Sequence, residues 1–182
     1  MNAWSLPHQV RFGENDYKFC TDYRDILEII IYLTNDAYPE YMRWRIAMGL
    51  FYESDVPFEY QEHAMQYLCD FIGYGSTESK PGPKLMDWNQ DASLIVSDIN
   101  KVAGHEIRAL KYLHWWTFLS YFYGIGEGQL SSVVSIRKKK ATGKKLEKWE
   151  QEYYQNNKKM IDFATPESDL IRKEKEDMLK WL

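Results

Sequence analysis

The chain reads Thr21-Asp-Tyr-Arg-Asp-Ile-Leu-Glu-Ile-Ile-Ile-Tyr-Leu33 at the point that decides its fold. Apolar side chains recur there at spacings close to 3.6 residues, the period of an α-helix with one buried face. Thr21 or Asp22 can cap the start of this helix, because a short side-chain oxygen accepts a backbone N–H of the first turn. This stretch therefore predicts the first helix of a mainly helical protein, ending near Asn35-Asp36.

Outward from this helix, the sequence predicts one β-hairpin and a series of further helices. Residues 9–12 and 17–20 alternate apolar and polar side chains around the turn-forming tetrad 13–16, which is typical of a hairpin. Periodic apolar positions punctuated by Pro and Gly predict further helices over 39–53, 57–73, 87–104, 106–123, 130–136 and 144–157. The predicted fold class is mainly α, a bundle of about seven helices with a small N-terminal hairpin.

Two of these helices have a specific predicted packing. The helix over 39–53 is predicted to bury an apolar stripe, formed by Met42, Ile46, Leu50 and Phe51. The helix over 106–123 carries apolar side chains on more than one face, so we predict that it runs through the core.

The predicted domain organisation is a single helical domain over residues 1–164 followed by a tail over 165–182. Residues 73–86 are rich in Gly, Pro and Ser and are predicted to form a mobile loop between two helical clusters. The C-terminal tail is weakly amphipathic, and we expect it to lie against a partner protein instead of the chain's own core.

Composition excludes several classes of protein. The chain has 182 residues and only two cysteines, Cys20 and Cys69, without a CxxC pair, which argues against a disulfide framework or a structural zinc site. No signal peptide is evident at the start, and the longest apolar runs, such as 29–33, are far shorter than the roughly 20 residues of a membrane span. We therefore expect a soluble intracellular protein.

The net charge of −4 is unevenly distributed. Residues 1–100 hold 7 basic and 16 acidic side chains, whereas residues 101–182 hold 16 basic and 11 acidic side chains. Such an asymmetry can orient a partner or a second copy of the chain, because complementary potentials steer protein encounters. A lysine-rich C-terminal region without any binding role explains the same numbers.

Two patterns resemble ligand-binding sites, and each lacks features that such a site requires. Asp87 to Asp98 places oxygen atoms roughly as a calcium loop does, but Ala92 replaces the required Gly, and Ile95 lacks a side-chain oxygen. The GxGxG pattern from Gly124 follows a helix, not a strand, which favours a helix stop and a turn over a phosphate loop. No metal, cofactor or catalytic residue is predicted, so we expect a protein that is not an enzyme.

Neither the histidines nor the basic run predicts catalysis or nucleic-acid binding. His114 stands beside two tryptophans and is predicted to be a packed ring with one hydrogen bond, not a catalytic base. The run from Arg137 to Lys145 has six basic residues in nine positions, yet the protein lacks any recognisable nucleic-acid reading element. We therefore predict that the binding partner of this basic run is an acidic protein surface and not nucleic acid.

Protein binding remains as the predicted activity. Trp and Tyr are favoured interface anchors, and exposed members of Trp4, Tyr38, Tyr41, Trp44, Trp115, Trp149 and Trp181 are candidates. The candidate protein-binding residues selected from the whole sequence are Trp44, Trp115, Trp149, Trp181, Arg137, Lys138, Lys139 and Lys140.

The order of several short motifs resembles the bacteriophage Gp-fifteen family, small proteins from the tail region of siphophage and prophage genomes. The hairpin and the stretch from Thr21 are similar to the opening of this family. The more specific motif residues follow in order: Gln90-Asp91-Ala92 with Ile95, His114-Trp115-Trp116-Thr117-Phe118, Gly124-Ile125 and Ile136-Arg137. The Gly126 to Gly128 loop departs from the family pattern, and residues 165–182 lie outside the similar region.

This resemblance implies a non-enzymatic tail assembly chaperone. Such a protein would coat the tape-measure protein and recruit tail-tube subunits in the cytoplasm of the infected or lysogenic host, and would be absent from the mature virion. The charge asymmetry of the chain favours the formation of multimers. The resemblance supplies no residue-level binding site. A structural protein of the phage tail or connector is the alternative, and an enzyme whose residues meet only in three dimensions is a third.

Overall fold

The computed structural model describes residues 4–74 and 82–164, and this part of the chain is mainly helical with one small antiparallel sheet. The described residues form two compact units. Unit 1 holds residues 4–74 together with Ile99–Ile125, and unit 2 holds Gly82–Asp98 together with residues 126–164. The predicted fold class is confirmed, whereas the single domain over 1–164 stays a prediction.

Unit 1 begins with the predicted hairpin, formed by β1 (Gln9–Phe12) and β2 (Asn15–Lys18). The turn needs only two residues instead of the predicted tetrad. Gly13 has φ +60°, a region that side chains disfavour, and an added Cβ there would collide with the Tyr60 hydroxyl. The backbone conformation therefore favours glycine at this position, and a larger residue would also displace the Tyr60 side chain.

The hairpin leads into α1 (Tyr23–Leu33), whose predicted cap is confirmed. The Asp22 carboxylate accepts the Arg24 backbone N–H at 3.0 Å, and Tyr23, Ile26 and Ile29 form the buried face. This face belongs to a core of stacked aromatic rings, with the Tyr23 and Phe118 ring centroids 4.8 Å apart.

Two further helices of unit 1 run as predicted, with shorter bounds. They are α2 (Glu40–Phe51) and α3 (Gln61–Ile72), joined by a 3-10 turn over Phe58–Tyr60. The stripe predicted for α2 is only partly right. Its buried residues are Ala47 and Phe51, whereas Leu50 is 43% exposed, because α2 is apolar on more than one face and periodicity could not select the buried one.

The long helix predicted over 106–123 is wrong. Residues Ile107–Ala109 form a single 3-10 turn, the next residues are extended, and α5 covers only Trp115–Tyr123. The extended backbone is fixed by the segment before α1: Tyr23 N–H donates to the Leu113 carbonyl at 3.0 Å, and Trp115 N–H donates to the Thr21 carbonyl at 2.7 Å. Backbone groups bonded to a distant segment cannot also continue a helix.

Besides α5, the described chain after residue 82 holds four α-helices: α4 (Ala92–Ala103), α6 (Gln129–Ala141), α7 (Lys148–Asn156) and α8 (Lys158–Ile161). The predicted helix start at Asp87 is wrong by five residues. The Asp87 carboxylate accepts the backbone N–H groups of Asn89 and Gln90 at 2.9 Å each, so that residues 87–91 form a turn before α4. In unit 2, α8 packs against both α6 and α7.

The predicted tail over 165–182, and residues 75–81 of the predicted loop 73–86, lie outside the described residues. Among the described helices, none combines the length and the apolar character that crossing a membrane requires.

Candidate protein-binding groove

A groove runs along the surface of unit 1 between α2 and α3. The end of α2 is fixed to α3 because the Tyr52 hydroxyl donates to the Ala64 carbonyl at 3.0 Å, while the Phe51 ring stacks on Phe19 with centroids 4.7 Å apart. The buried residues of α2 therefore hold the helix in place. Three of its other apolar side chains, Tyr41, Trp44 and Met48, line the groove.

Two adjoining cavities make up the groove, with volumes of about 930 and 560 Å³. Both are lined by Trp44, Gln61 and Met65, so the cavities are continuous. One wall carries Tyr41, Trp44 and Met48 of α2 at helical spacing. The other wall carries Gln61, Met65 and Cys69 of α3, also at helical spacing.

The groove exposes large apolar side chains to solvent. Tyr41 is 69% exposed and Phe58, in the 3-10 turn, is 89% exposed, while Trp44 and Met65 are half-buried. Contiguous exposed apolar surface of this kind is typical of binding sites for other proteins, and methionine adapts to varied partner surfaces. This groove, defined by α2, the 3-10 turn and α3, is the candidate functional site.

Its charged lining is mostly acidic. Among the described residues that line the groove, four are acidic, Glu53, Asp55, Glu59 and Glu62, and one is basic, Arg45. No basic side chain in the described part of the chain lies within ion-pair distance of these four carboxylates. The field in the groove is therefore negative.

The two predicted candidates Trp44 and Trp115 differ in their exposure. Trp44 lies in the middle of the groove, as an interface residue should. Trp115 is only 1% exposed, and its indole N–H donates to the Ile72 carbonyl at 3.1 Å. A fully enclosed side chain cannot touch a partner, so Trp115 is removed from the predicted surface residues.

The rest of the His-Trp-Trp motif is structural as well. Trp116 donates its indole N–H to the Phe71 carbonyl at 3.0 Å, so both tryptophans bind the last turn of α3. His114 is a packed ring, as predicted, with two hydrogen bonds instead of one: its Nδ1 accepts the Trp116 N–H at 3.0 Å and its Nε2 donates to the Pro7 carbonyl at 3.1 Å. Burial lowers the pKa of His114 below its usual range, which favours this neutral tautomer.

Arg137 is also removed from the predicted surface residues, because it is buried inside unit 2. Its guanidinium makes a bidentate ion pair with Asp91, with N–O distances of 2.6 and 2.9 Å, and its side chain is 4% exposed. Its other N–H groups donate to the carbonyls of Leu85, Met160 and Ile161 at 2.6 to 3.1 Å. All five donors of the guanidinium are therefore used within the unit.

The three lysines that follow Arg137 lie in the last turn of α6. Lys139 donates to Glu150 at 2.7 Å, and this hydrogen bond lowers the pKa of the Glu150 carboxyl below its usual range. Lys140 pairs with Asp162, and Lys138 is exposed. Trp149 is 56% exposed and keeps its place as a candidate, whereas Trp181 lies outside the described residues.

The calcium-like and glycine-rich segments serve as structural elements. The Asp98 carboxylate is buried and accepts the Leu130 backbone N–H at 3.1 Å, and a Cβ on Gly128 would lie 2.6 Å from its Oδ2 atom. Gly124 ends α5, as the helix-stop interpretation predicted. In the described part of the chain, no group of three or more His, Cys, Asp or Glu residues is placed to hold a metal ion.

Sequence reasoning missed most of the groove. Met48, Phe58 and Met65 were not selected, although α2 carries apolar residues around its whole circumference and Phe58 follows directly on a helix-starting Pro57. An apolar helix with no single buried stripe is the signal that could have indicated a second contact surface.

Comparison with models of protein families matches residues 4–163 to the family described as Bacteriophage Gp15 protein. None of the curated proteins and none of the solved structures that were compared matches the chain. The match covers most of the 182 residues and includes the Asp91, His114 and Arg137 motif residues, whose roles in packing are described above. The chain belongs to the Bacteriophage Gp15 protein family and is a bacteriophage protein.

Proposed function

We propose that this phage protein is a tail assembly chaperone, which binds the tape-measure protein and helps to recruit tail-tube subunits. It acts in the cytoplasm of the infected or lysogenic host and is absent from the mature virion. The observation that carries this proposal is the groove between α2 and α3, which offers Trp44, Met48 and Met65 to solvent. A chaperone needs such a surface, because it must cover apolar side chains of its client until assembly.

The proposed action requires no catalysis. The buried polar side chains that could have formed a reaction centre are used in packing instead: Asp91 pairs with Arg137, Asp98 caps the start of α6, and His114 caps α5. These contacts support a binding protein with rigid units and an exposed apolar surface.

Co-expression with the tape-measure protein tests the proposal. An isolated tape-measure fragment is expected to be insoluble and to become soluble, and to co-purify, when this chain is present. The matched control is a variant with charges placed in the groove, Trp44→Glu with Met65→Lys, because neither side chain is fully buried. A fragment that stays insoluble with the wild-type chain, without any complex, would contradict the chaperone function.

A structural protein of the phage tail or connector is the second candidate. It is favoured by the exposed side chains of Trp149 and Lys138 in unit 2, which remain accessible to neighbouring subunits, since a virion component contacts neighbours permanently. Mass spectrometry of purified virions separates the two functions. Stoichiometric amounts of this chain in mature particles would favour the structural role, and its absence favours the chaperone.

A further inference from the structure

The walls of the groove have the length and the spacing to receive a helix. Helices α2 and α3 have 12 residues each, which corresponds to about 18 Å at 1.5 Å per residue. Tyr41, Trp44 and Met48 form a continuous stripe along one wall. A partner helix of three to four turns would contact this stripe along its whole length, as in other helix-in-groove complexes.

Gly49 points to a close approach of the partner. It lies within α2 and lines the groove, where a glycine lowers helix stability relative to alanine. No atom lies within 4 Å of the position that a Cβ on Gly49 would take, so the described fold does not require a glycine there. An open backbone at this position lets a second helix pack against α2 more closely than a side chain would.

The negative charge of the groove favours basic residues beside the apolar stripe of that partner helix. In the part of the chain that the structure describes, four carboxylates line it, those of Glu53, Asp55, Glu59 and Glu62, and one guanidinium, that of Arg45. A helix with acidic flanks would be repelled, while lysine or arginine beside the apolar stripe would meet a complementary potential.

We propose that the groove between α2 and α3 binds one amphipathic helix of a partner protein, whose apolar stripe is flanked by lysine or arginine. This inference rests on the proposed function, since it assigns the client segment that the chaperone would hold. Apolar residues at i, i+3, i+4 and i+7 of the client meet Trp44, Met48 and Met65, and its basic side chains meet the acidic lining.

Two synthetic helical peptides of about 18 residues, labelled with a fluorophore, test this inference on the full chain. Both peptides carry the same leucine stripe, and one has lysine and the other glutamate at the flanking positions. Fluorescence anisotropy is expected to show binding of the lysine peptide at least about tenfold tighter than of the glutamate peptide. A double variant, Glu59→Lys with Glu62→Lys, is expected to abolish or reverse this preference.

Cys69 supplies an independent test of location, because it is exposed and lines the groove. Cys20 is half-buried, and burial raises the pKa of its thiol to about 12, which makes this thiol unreactive at neutral pH. Because the chain has only two cysteines, the Cys20→Ser variant leaves Cys69 as its single thiol. Alkylation of Cys69 with a bulky maleimide is expected to weaken binding of the lysine peptide, and bound peptide is expected to protect Cys69 from alkylation.

Several results would overturn the inference. They are equal binding of the two peptides, no binding of the lysine peptide, unchanged affinity after alkylation of Cys69, and a dimer of the wild-type chain that the groove variants dissociate. A large gain in peptide affinity on deletion of residues 165–182 would also overturn it, since the occupant would then be the chain's own terminus. If the wild-type chain and the Trp44→Glu, Met65→Lys variant solubilise the tape-measure fragment equally, this inference fails while the proposed chaperone function stands.

Discussion

Replacement of Asp91 by Asn should destabilise unit 2 strongly. The side chains of Asp91 and Arg137 are 0% and 4% exposed, so the Asn variant leaves the guanidinium buried without its counter-charge. Breaking a buried ion pair from one side costs about 3–5 kcal/mol. For a chain of this length, we expect the melting temperature of the transition to fall by roughly 6–20 °C.

Urea unfolding followed by circular dichroism measures this loss. The matched control is Asp162→Asn, which removes the partner of Lys140 in an ion pair that is 34% and 49% exposed. Because water screens exposed pairs, we expect the control to lose less than about 1 kcal/mol. An Asp91→Asn variant that loses no more free energy of unfolding than this control would refute the role assigned to the buried pair.

A double variant separates the ion pair from the other bonds of Arg137. Replacing Asp91 by Leu and Arg137 by Met removes both charges, which by itself is often neutral or stabilising. The carbonyls of Leu85 and Ile161 would nevertheless lose the donor that Arg137 supplies, at about 1–3 kcal/mol for each acceptor that stays buried and unpaired, while the Met160 carbonyl keeps Gln90 Nε2 at 3.3 Å. We therefore expect the double variant to stay less stable than the wild type, and equal stability would show that the bonds to Leu85 and Ile161 contribute nothing.

Three further substitutions test other contacts by urea unfolding. Gly49→Ala should raise the free energy of unfolding by up to about 1 kcal/mol and weaken binding of the lysine peptide. A stabilised variant that binds this peptide with unchanged affinity would show that Gly49 has no role in binding. Gly128→Ala should lose about 1–3 kcal/mol, because its Cβ would lie 2.6 Å from Asp98 Oδ2, and full stability would show that the Asp98 carboxylate moves freely. His114, with a folded-state pKa below its unfolded value of 6.5, should contribute stability that is complete above pH 6.5 and declines as the pH falls below it. The variant His114→Asn caps without titrating, so its stability should depend less on pH between 7.5 and 5.5 than that of the wild type; an identical dependence would exclude His114 as the cause.

Local signals in the sequence were sufficient to predict those helix ends that carry their own capping groups. Asp22 caps α1 within two residues of its own position, and Gly124 ends α5 without help from distant segments. The β-hairpin is predictable for the same reason, since Gly13 and the alternation on either side of it lie within ten residues.

Local signals failed where a distant segment competes for the backbone. Residues 106–123 have apolar periodicity throughout, but the backbone of Leu113 and Trp115 is hydrogen-bonded to Thr21 and Tyr23, more than 80 positions earlier in the chain. A helix there would leave those groups without their partners. Periodicity reports on side chains alone and cannot detect such pairing.

The sequence by itself determined the helical class, the N-terminal hairpin and the family, because short-range periodicity and the ordered motifs are written along the chain. Only the tertiary structure decided which of the candidate binding residues are buried: it enclosed Trp115 and Arg137 and left Trp44 at the surface. It also decided the site, since the groove is formed where side chains of two consecutive helices, α2 and α3, come together in the fold. Exposure depends on what packs against a residue, and that is set by the fold, not by residue type.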